Sequence, residues 1–366
     1  MNLVRRSLVV VFCLSLSAPA WSAGQSSAVP SAPSDQSAQT QADRRLVLDV
    51  AVVDRFGHPV TGLQQQDFTV LDNKVSTTIT GFEAIAPSSS GTAAPKPEPP
   101  GQIIFLLDEV NTSFSQTTRA RDQLLQFLKK NQGPLAQPAS IAILSDAGIR
   151  LQGQPTSDAN TLMSVIDANN HALRTVTRSA GFYGATERLQ LSLRALSLLA
   201  AQEMKVPGHK TVIWLSPGWP ILSGPGVELT ATTEANLFHS LMDVSDQLQA
   251  ARITLNSVDP LGTDDSGGFR TNYYENFLKG VESPRQMQAG NLALQVFAVH
   301  SGGRVLVGSN DVAAEIAACV ADAQAEYVVS FIPGNNDPPS AYHAVQVKVD
   351  RPGVTVRSKS GYYTQP

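Results

Sequence analysis

Two cysteines in 366 residues leave little covalent chemistry to build with. Cys13 lies inside an apolar leader, so Cys319 stands alone in the chain that follows. One thiol makes neither an intramolecular disulfide nor a cysteine metal site. It sits in an apolar helical stretch, Ala313 to Ala323, and reads as a small buried hydrophobe, with an intermolecular disulfide as the alternative. Basic charge is also scarce. The net charge of −4 advertises no face for nucleic acid. The six histidines (His58, His171, His209, His239, His300 and His343) are scattered without ligand spacing. There is no Gly-rich phosphate loop, no His-Glu-x-x-His and no dinucleotide fingerprint, which removes the common nucleotide and zinc-hydrolase signatures.

What is present begins with a leader. Arg5 and Arg6 precede an apolar run, Leu8 to Leu16, and small residues follow at Ala18-Pro19-Ala20 and Ser22-Ala23. This reads as a signal peptide over residues 1–23, hence an exported protein of the periplasm, the cell surface or the medium. The run is short for a bilayer span, so no stable membrane anchor is expected after cleavage; an uncleaved anchor is the alternative. Without the two arginines the net charge becomes −6. Residues 24–43 are Ser, Ala, Gln and Pro with hardly a large apolar side chain, and read as disordered. A Pro/Ser-rich linker covers 85–100.

Between these lies a β segment, 44–84, with strands at Leu46–Val53, Asp67–Leu71 and Val75–Phe82. Three strands in forty residues need a partner sheet. The C-terminal segment, 324–366, offers one: Glu326–Ile332, an alternating Tyr342–Asp350, and Val354–Arg357. The two terminal segments are expected to form one small sandwich. Residues 101–323 alternate strand and helix, starting with the continuous apolar run Ile103–Leu107. Further strands are expected at 141–144, 149–151, 211–215, 253–258 and 304–307. Helices are expected at 118–130, 157–168, 186–204, 234–251, 285–300 and 311–323. This pattern predicts an α/β fold with a doubly wound, mainly parallel sheet, which binds ligands beyond the C-terminal ends of its strands.

The first central strand ends in Asp108-Glu109-Val110-Asn111-Thr112-Ser113. A carboxylate at a buried strand tip, followed by short hydroxyl and amide side chains, suits a hard cation. The segment resembles the start of the metal-ion-dependent adhesion site of von Willebrand factor type A domains, which reads Asp-x-Ser-x-Ser. Gly184-Ala185-Thr186 looks like the loop that gives that family its third ligand, and Leu215-Ser216-Pro217-Gly218 closes a strand where the family carries Thr-Asp-Gly. Val60–Leu63 with Gln66–Val70, and the C-terminal Arg351–Ser358 with Gly361-Tyr362-Tyr363, resemble an exported acidobacterial group related to these domains. The resemblance runs over almost all of the chain after the leader. It implies a von Willebrand type A-like domain, not an enzyme, that recognises a protein or polymer ligand, with Mg²⁺ or Mn²⁺ where the metal site is intact.

Val110 stands where the motif's first Ser should be, and Ser216 where the Asp should be. The surviving ligands are Asp108, Thr112 and Thr186. The alternative is that Asp108 caps a loop amide and no metal binds. Around it, Glu109, Asn111, Ser113, Ser216 and Asp259 are rim candidates. So are Tyr273 and Tyr274, carried on the second of two long loops, 216–233 and 260–284, that follow strand ends. These aromatics either meet a ligand or pack back on their own loop. A structural envelope protein without a metal site is the second reading. A serine hydrolase is a third, because Ser216, Asp259 and His300 follow hydrolase order; against it, Trp214 stands where the elbow's first Gly belongs, and Pro217 and Pro220 prevent an immediate helix.

Overall fold

The computed structural model describes residues 45–85, 99, 101–130, 133–169, 181–220, 229–265, 273–324, 326–334 and 337–364. The expected leader, the segment 24–43 and nearly all of the linker lie outside them. So do parts of both long loops, at 221–228 and 266–272. Everything described below belongs to one compact unit, Arg44–Pro366.

The N-terminal segment supplies β1 (Leu46–Asp54), β2 (Phe68–Asp72), β3 (Val75–Thr77) and β4 (Ile79–Ala84). The α/β part follows: β5 (Gln102–Asp108), α1 (Phe114–Lys130), β6 (Ala139–Ser145), β7 (Gly148–Thr156), α2 (Ala159–Ala168), α3 (Gly181–Glu203), β8 (Lys210–Leu215), α4 (Ala231–Ala250), β9 (Ile253–Val258), α5 (Leu294–His300), β10 (Val305–Leu306) and α6 (Val312–Ala323). The C-terminal segment gives β11 (Glu326–Phe331), β12 (Tyr342–Val349), β13 (Val354–Arg357) and β14 (Gly361–Tyr363).

The central sheet has the order β10-β9-β8-β5-β6-β7. Its pairs are parallel except β6–β7. Successive residues of a strand face opposite sides, so the buried run of β5 feeds two cores. Ile104 and Leu106 join Trp214, Leu196, Leu199 and Leu241 against α3 and α4. Ile103, Phe105 and Leu107 join Leu124, Leu128, Ile316 and Cys319 against α1 and α6. This is the doubly wound, von Willebrand type A-like arrangement expected. Cys319 is wholly buried, and its thiol pKa is pushed up by burial.

The terminal segments share two sheets, β13-β1-β11-β4 and β14-β12-β2-β3. Strand β1 lies antiparallel between β11 and β13, so N-terminal chain pairs with C-terminal chain on both sides. The facing sheets enclose Leu48, Val50, Val52, Phe68, Val70, Val329, Phe331 and Val347. Alternation along β12 fits this, with His343, Val345 and Val347 buried and Ala344, Gln346 and Lys348 exposed. Tyr327 donates to the Val60 carbonyl at 2.7 Å and ties in the loop that precedes β2.

Charge joins sandwich to α/β domain. Asp322 of α6 accepts from Arg304 at 2.5 and 2.8 Å and from Arg357 of β13 at 2.6 and 3.0 Å. Arg252, before β9, pairs with Asp49 of β1.

One helix departs from expectation. The sequence pattern predicts one helix over 285–300, but only Leu294–His300 is α-helical; Pro284–Gln286 and Ala289–Leu292 form 3-10 turns. Gly290 lies under the Phe277 ring, where a Cβ would sit 2.5 Å from ring carbons, and the turn carries Phe277 against this segment. Apolar spacing alone does not distinguish such stacked turns from one helix.

Candidate functional site at the C-terminal rim of the sheet

The β5 tip is built by hydrogen bonds to one carboxylate. Asp108 is 1% exposed. One oxygen accepts the Val110 and Asn111 backbone N–H groups at 2.9 and 2.8 Å. The other accepts Asn111 Nδ2 at 2.8 Å and the Trp214 indole N–H at 2.9 Å. Trp214 reaches it because Leu106 and Trp214 are in register on neighbouring strands, and Asp108 follows Leu106 on the same face. Asn111 Nδ2 also donates to Ser192 Oγ at 2.8 Å, joining the loop to α3. Two backbone groups, an amide and an indole therefore fill both carboxylate oxygens.

The other two expected ligands are spent locally. Thr112 Oγ1 bonds the Asp108 carbonyl and lies 2.7 Å from Thr117 Oγ1. Thr186 donates to the Phe182 carbonyl at 2.9 Å, inside α3. Gly184-Ala185-Thr186, read as a loop, belongs to that helix, which begins at Gly181. The residue of α3 that does meet the β5 tip is Ser192. A divalent ion needs oxygens free to face it. Here N–H groups point at the only carboxylate among the three expected ligands, so Asp108, Thr112 and Thr186 do not fit a divalent ion. Among the described residues, no group of three or more His, Cys, Asp or Glu is placed to hold a metal.

The rim candidates divide. Glu109 donates its backbone N–H to Leu144 O and is partly buried. Ser113 is exposed and caps α1: the Gln116 N–H donates to its Oγ at 3.4 Å. Ser216 is buried and accepts from the Gly218 N–H at 3.2 Å, a turn role. Asp259 accepts the Leu261 N–H at 2.9 Å. Glu315, in the first turn of α6, feels Asp259 and Asp311. Burial first, then those two charges, push its pKa up to about 7.

The described part of the second long loop from Tyr273 onward packs back on the domain. Tyr273 and Tyr274 pack back beside Phe277, Ala293 and Val296, with the Tyr273 and Phe277 rings 5.1 Å apart. Farther on, Leu278 O faces His300 Nε2 at 3.0 Å, and Val281 O accepts from Tyr363 at 3.1 Å. This stretch ties the α/β domain to the sandwich, so the two tyrosines read as loop packing rather than ligand contacts.

The hydrolase triad is not assembled. Ser216 and Asp259 follow the C-terminal ends of β8 and β9. His300 faces the cavity shared with Ile253 and Thr254 at the start of β9. Six strand residues separate the two edges, about 17–20 Å. Burial lowers the His300 pKa.

Sequence reading missed the exposed aromatics of the rim. Phe114, Phe182 and Tyr183 are 63%, 55% and 85% exposed. Phe114 opens α1 straight after the Asp108 loop. Phe182 and Tyr183 open α3. Glu203 of α3 bonds Gln102 at the base of β5, and Ser192 meets Asn111 at its tip. Phe182 precedes Ser192 by ten residue steps, so α3 runs roughly 15 Å past the β5 tip.

No protein-family model matches the chain, and no curated protein matches it. Solved structures similar to it include three of known source. The human COPII-coat protein Sec24c shares 11% identity over 73% of this chain and 44% of that one, with a TM-score of 0.34. The manganese-loaded TRAP protein of Plasmodium vivax shares 9% identity over 76% and 96%, with a TM-score of 0.34. The open form of the pilus adhesin SpaC from Lactobacillus rhamnosus GG shares 9% over 84% and 49%, with a TM-score of 0.38. The chain thus spans less than half of the first and about half of the third. These likenesses concern the fold alone.

Proposed function

We propose that this protein is an exported, non-enzymatic recognition module that binds a protein or polymer ligand on the C-terminal rim of its central sheet, without a metal ion. The observation that carries this reading is the exposure of Phe114, Phe182 and Tyr183 on two helix starts at that rim. Large exposed aromatics cost solubility, and they are enriched where a partner covers them. Next to Phe114, Asp108 fastens the β5–α1 loop, and Asn111 ties that loop to α3 at Ser192. A fixed platform lowers the ordering cost of binding.

Export rests on the leader-like N-terminus, and no described helix is long and apolar enough to cross a membrane. The experiment is capture from cell-envelope extracts in EDTA, comparing wild type with a Phe114→Ser, Phe182→Ser, Tyr183→Ser triple variant. Exposed side chains contribute little to folding, so the triple variant should unfold within about 0.5 kcal/mol of wild type. It should lose the captured ligand. Capture that survives the three substitutions removes the rim from the account.

A further inference from the structure

Within the sandwich, the His343 ring of β12 stands between two carboxylates. Its Nδ1 lies 2.8 Å from Asp72 Oδ1 of β2, and its Nε2 lies 3.2 Å from Asp337 Oδ2. The ring is buried and stacks on Tyr362 of β14, with centroids 4.9 Å apart. Asp72 has a second donor, the Tyr362 hydroxyl, at 2.8 Å from Oδ2. Burial, then Asp72, raise the Tyr362 pKa, so that hydroxyl keeps its proton. Asp337 is placed differently. It sits on the connection between β11 and β12, and its side chain is 43% exposed against 14% for Asp72.

An ionised carboxylate only accepts, so each of these contacts needs an N–H on the ring. The imidazolium has two; the neutral imidazole has one. Loss of a proton therefore turns one ring lone pair onto a carboxylate. Asp72 keeps its N–H, because it is the more buried acid and an unpaired buried charge costs more. Nε2 then presents its lone pair to Asp337, which has water to turn to. Asp72, Tyr362 and Asp337 are the ionisable groups that meet the ring from β2, from β14 and from the β11–β12 connection. On β12 itself, Ala341 and Ala344 carry no charge, and Tyr342 packs against the α/β core.

Asp337 anchors the turn that follows it. The Pro338 carbonyl accepts from Thr364 Oγ1 at 2.6 Å and from the Ala341 N–H at 3.3 Å. We infer that His343 is a proton-controlled clamp: the charged ring ties Asp337, and with it the Pro338–Ala341 turn, to the sandwich, and the neutral ring releases them. The closed form is the one that holds the extra proton. The turn is therefore held below the pH at which His343 loses that proton, and loosens above it. The clamp uses no rim residue, and its failure leaves the rim reading untouched.

The test is NMR of the purified protein from about pH 5 to 8.5, the range in which histidines titrate. It follows the His343 ring signals and the exchange protection of the Ala341 amide, corrected at each pH for the rate of an unstructured chain. The Val60 N–H, which donates to Val52 O of β1, serves as the control. Ala341 protection should fall about threefold or more as His343 loses its proton, and Val60 protection should not follow. Asp337→Asn offers Nε2 both an acceptor and a donor, so it holds either form of the ring, and its Ala341 protection should stay flat. Asp337→Ala should be loose throughout, at the level wild type reaches at high pH. Wild-type protection that stays constant while His343 titrates overturns the inference. So does a ring that keeps one protonation state over the whole range, or Asp337→Asn with the wild-type pH dependence.

Discussion

Removing the Asp108 carboxylate separates a hydrogen-bond hub from an ion ligand. Asp108→Ala leaves four donors without their acceptor: the Val110 and Asn111 backbone N–H groups, Asn111 Nδ2 and the Trp214 indole. Asn111 Nδ2 keeps Ser192 Oγ. Val110 and Trp214 are wholly buried, so their N–H groups have no water to turn to. A buried donor left unsatisfied costs about 1–3 kcal/mol, and two such donors with a partly buried third put the loss at about 4 kcal/mol. The assay is urea unfolding in EDTA, followed by tryptophan fluorescence. An ion ligand behaves oppositely: without its ion an unpaired carboxylate is a liability, and its removal leaves the apo protein as stable or more so. A loss under about 1 kcal/mol in EDTA refutes the hub.

Other perturbations probe the remainder of the molecule. Asp322→Ala strands Arg304 and Arg357 at the junction, both mostly buried, and should cost about 2–4 kcal/mol, read as a lower urea midpoint. Glu315 has a folded pKa raised to about 7 against 4.5 for the free side chain, so between those pH values the unfolded chain loses a proton that the folded one keeps. Stability therefore falls as pH rises through that window and levels off above it. Glu315→Gln should match wild type at pH 4 and exceed it at pH 8 by about 1–2 kcal/mol, after allowing for solvent screening of a half-buried group; a difference that stays constant with pH contradicts this. Tyr273→Ser should destabilise through the Phe277 cluster and leave ligand capture intact, measured by unfolding and by the envelope-extract assay.

The sequence made the fold legible because periodicity reports burial. Ile103–Leu107 reads as a strand covered on both faces, and β12 alternates because one face meets the sandwich core. The site was legible only in part. Asp108 at a strand tip is visible in the sequence, but what meets its carboxylate depends on register with β8, a non-local fact. Trp214 reads as one more apolar strand residue until it is placed next to Leu106. Ser192 lies six residues beyond Thr186 in one helix, and only the helix start at Gly181 decides which of the two reaches Asn111. The Tyr273–Phe277 segment looked like a binding loop because loop composition does not say which face its aromatics choose. Phe182 and Tyr183 carry no signal beyond a preceding glycine; their exposure follows from a helix longer than the sheet it packs on.

The central claim, a rim ordered by hydrogen bonds that works without an ion, meets its most direct test in a titration of Mg²⁺ and Mn²⁺ into the wild-type protein. The readout is the thermal midpoint relative to EDTA, with Asp108→Ala beside it. An ion that binds only the native state raises the midpoint as its concentration passes Kd. The account predicts superimposable wild-type curves at every ion concentration, with Asp108→Ala lower by the same amount throughout. A saturable rise in wild type that disappears in Asp108→Ala would contradict it, and would make Asp108 an ion ligand after all.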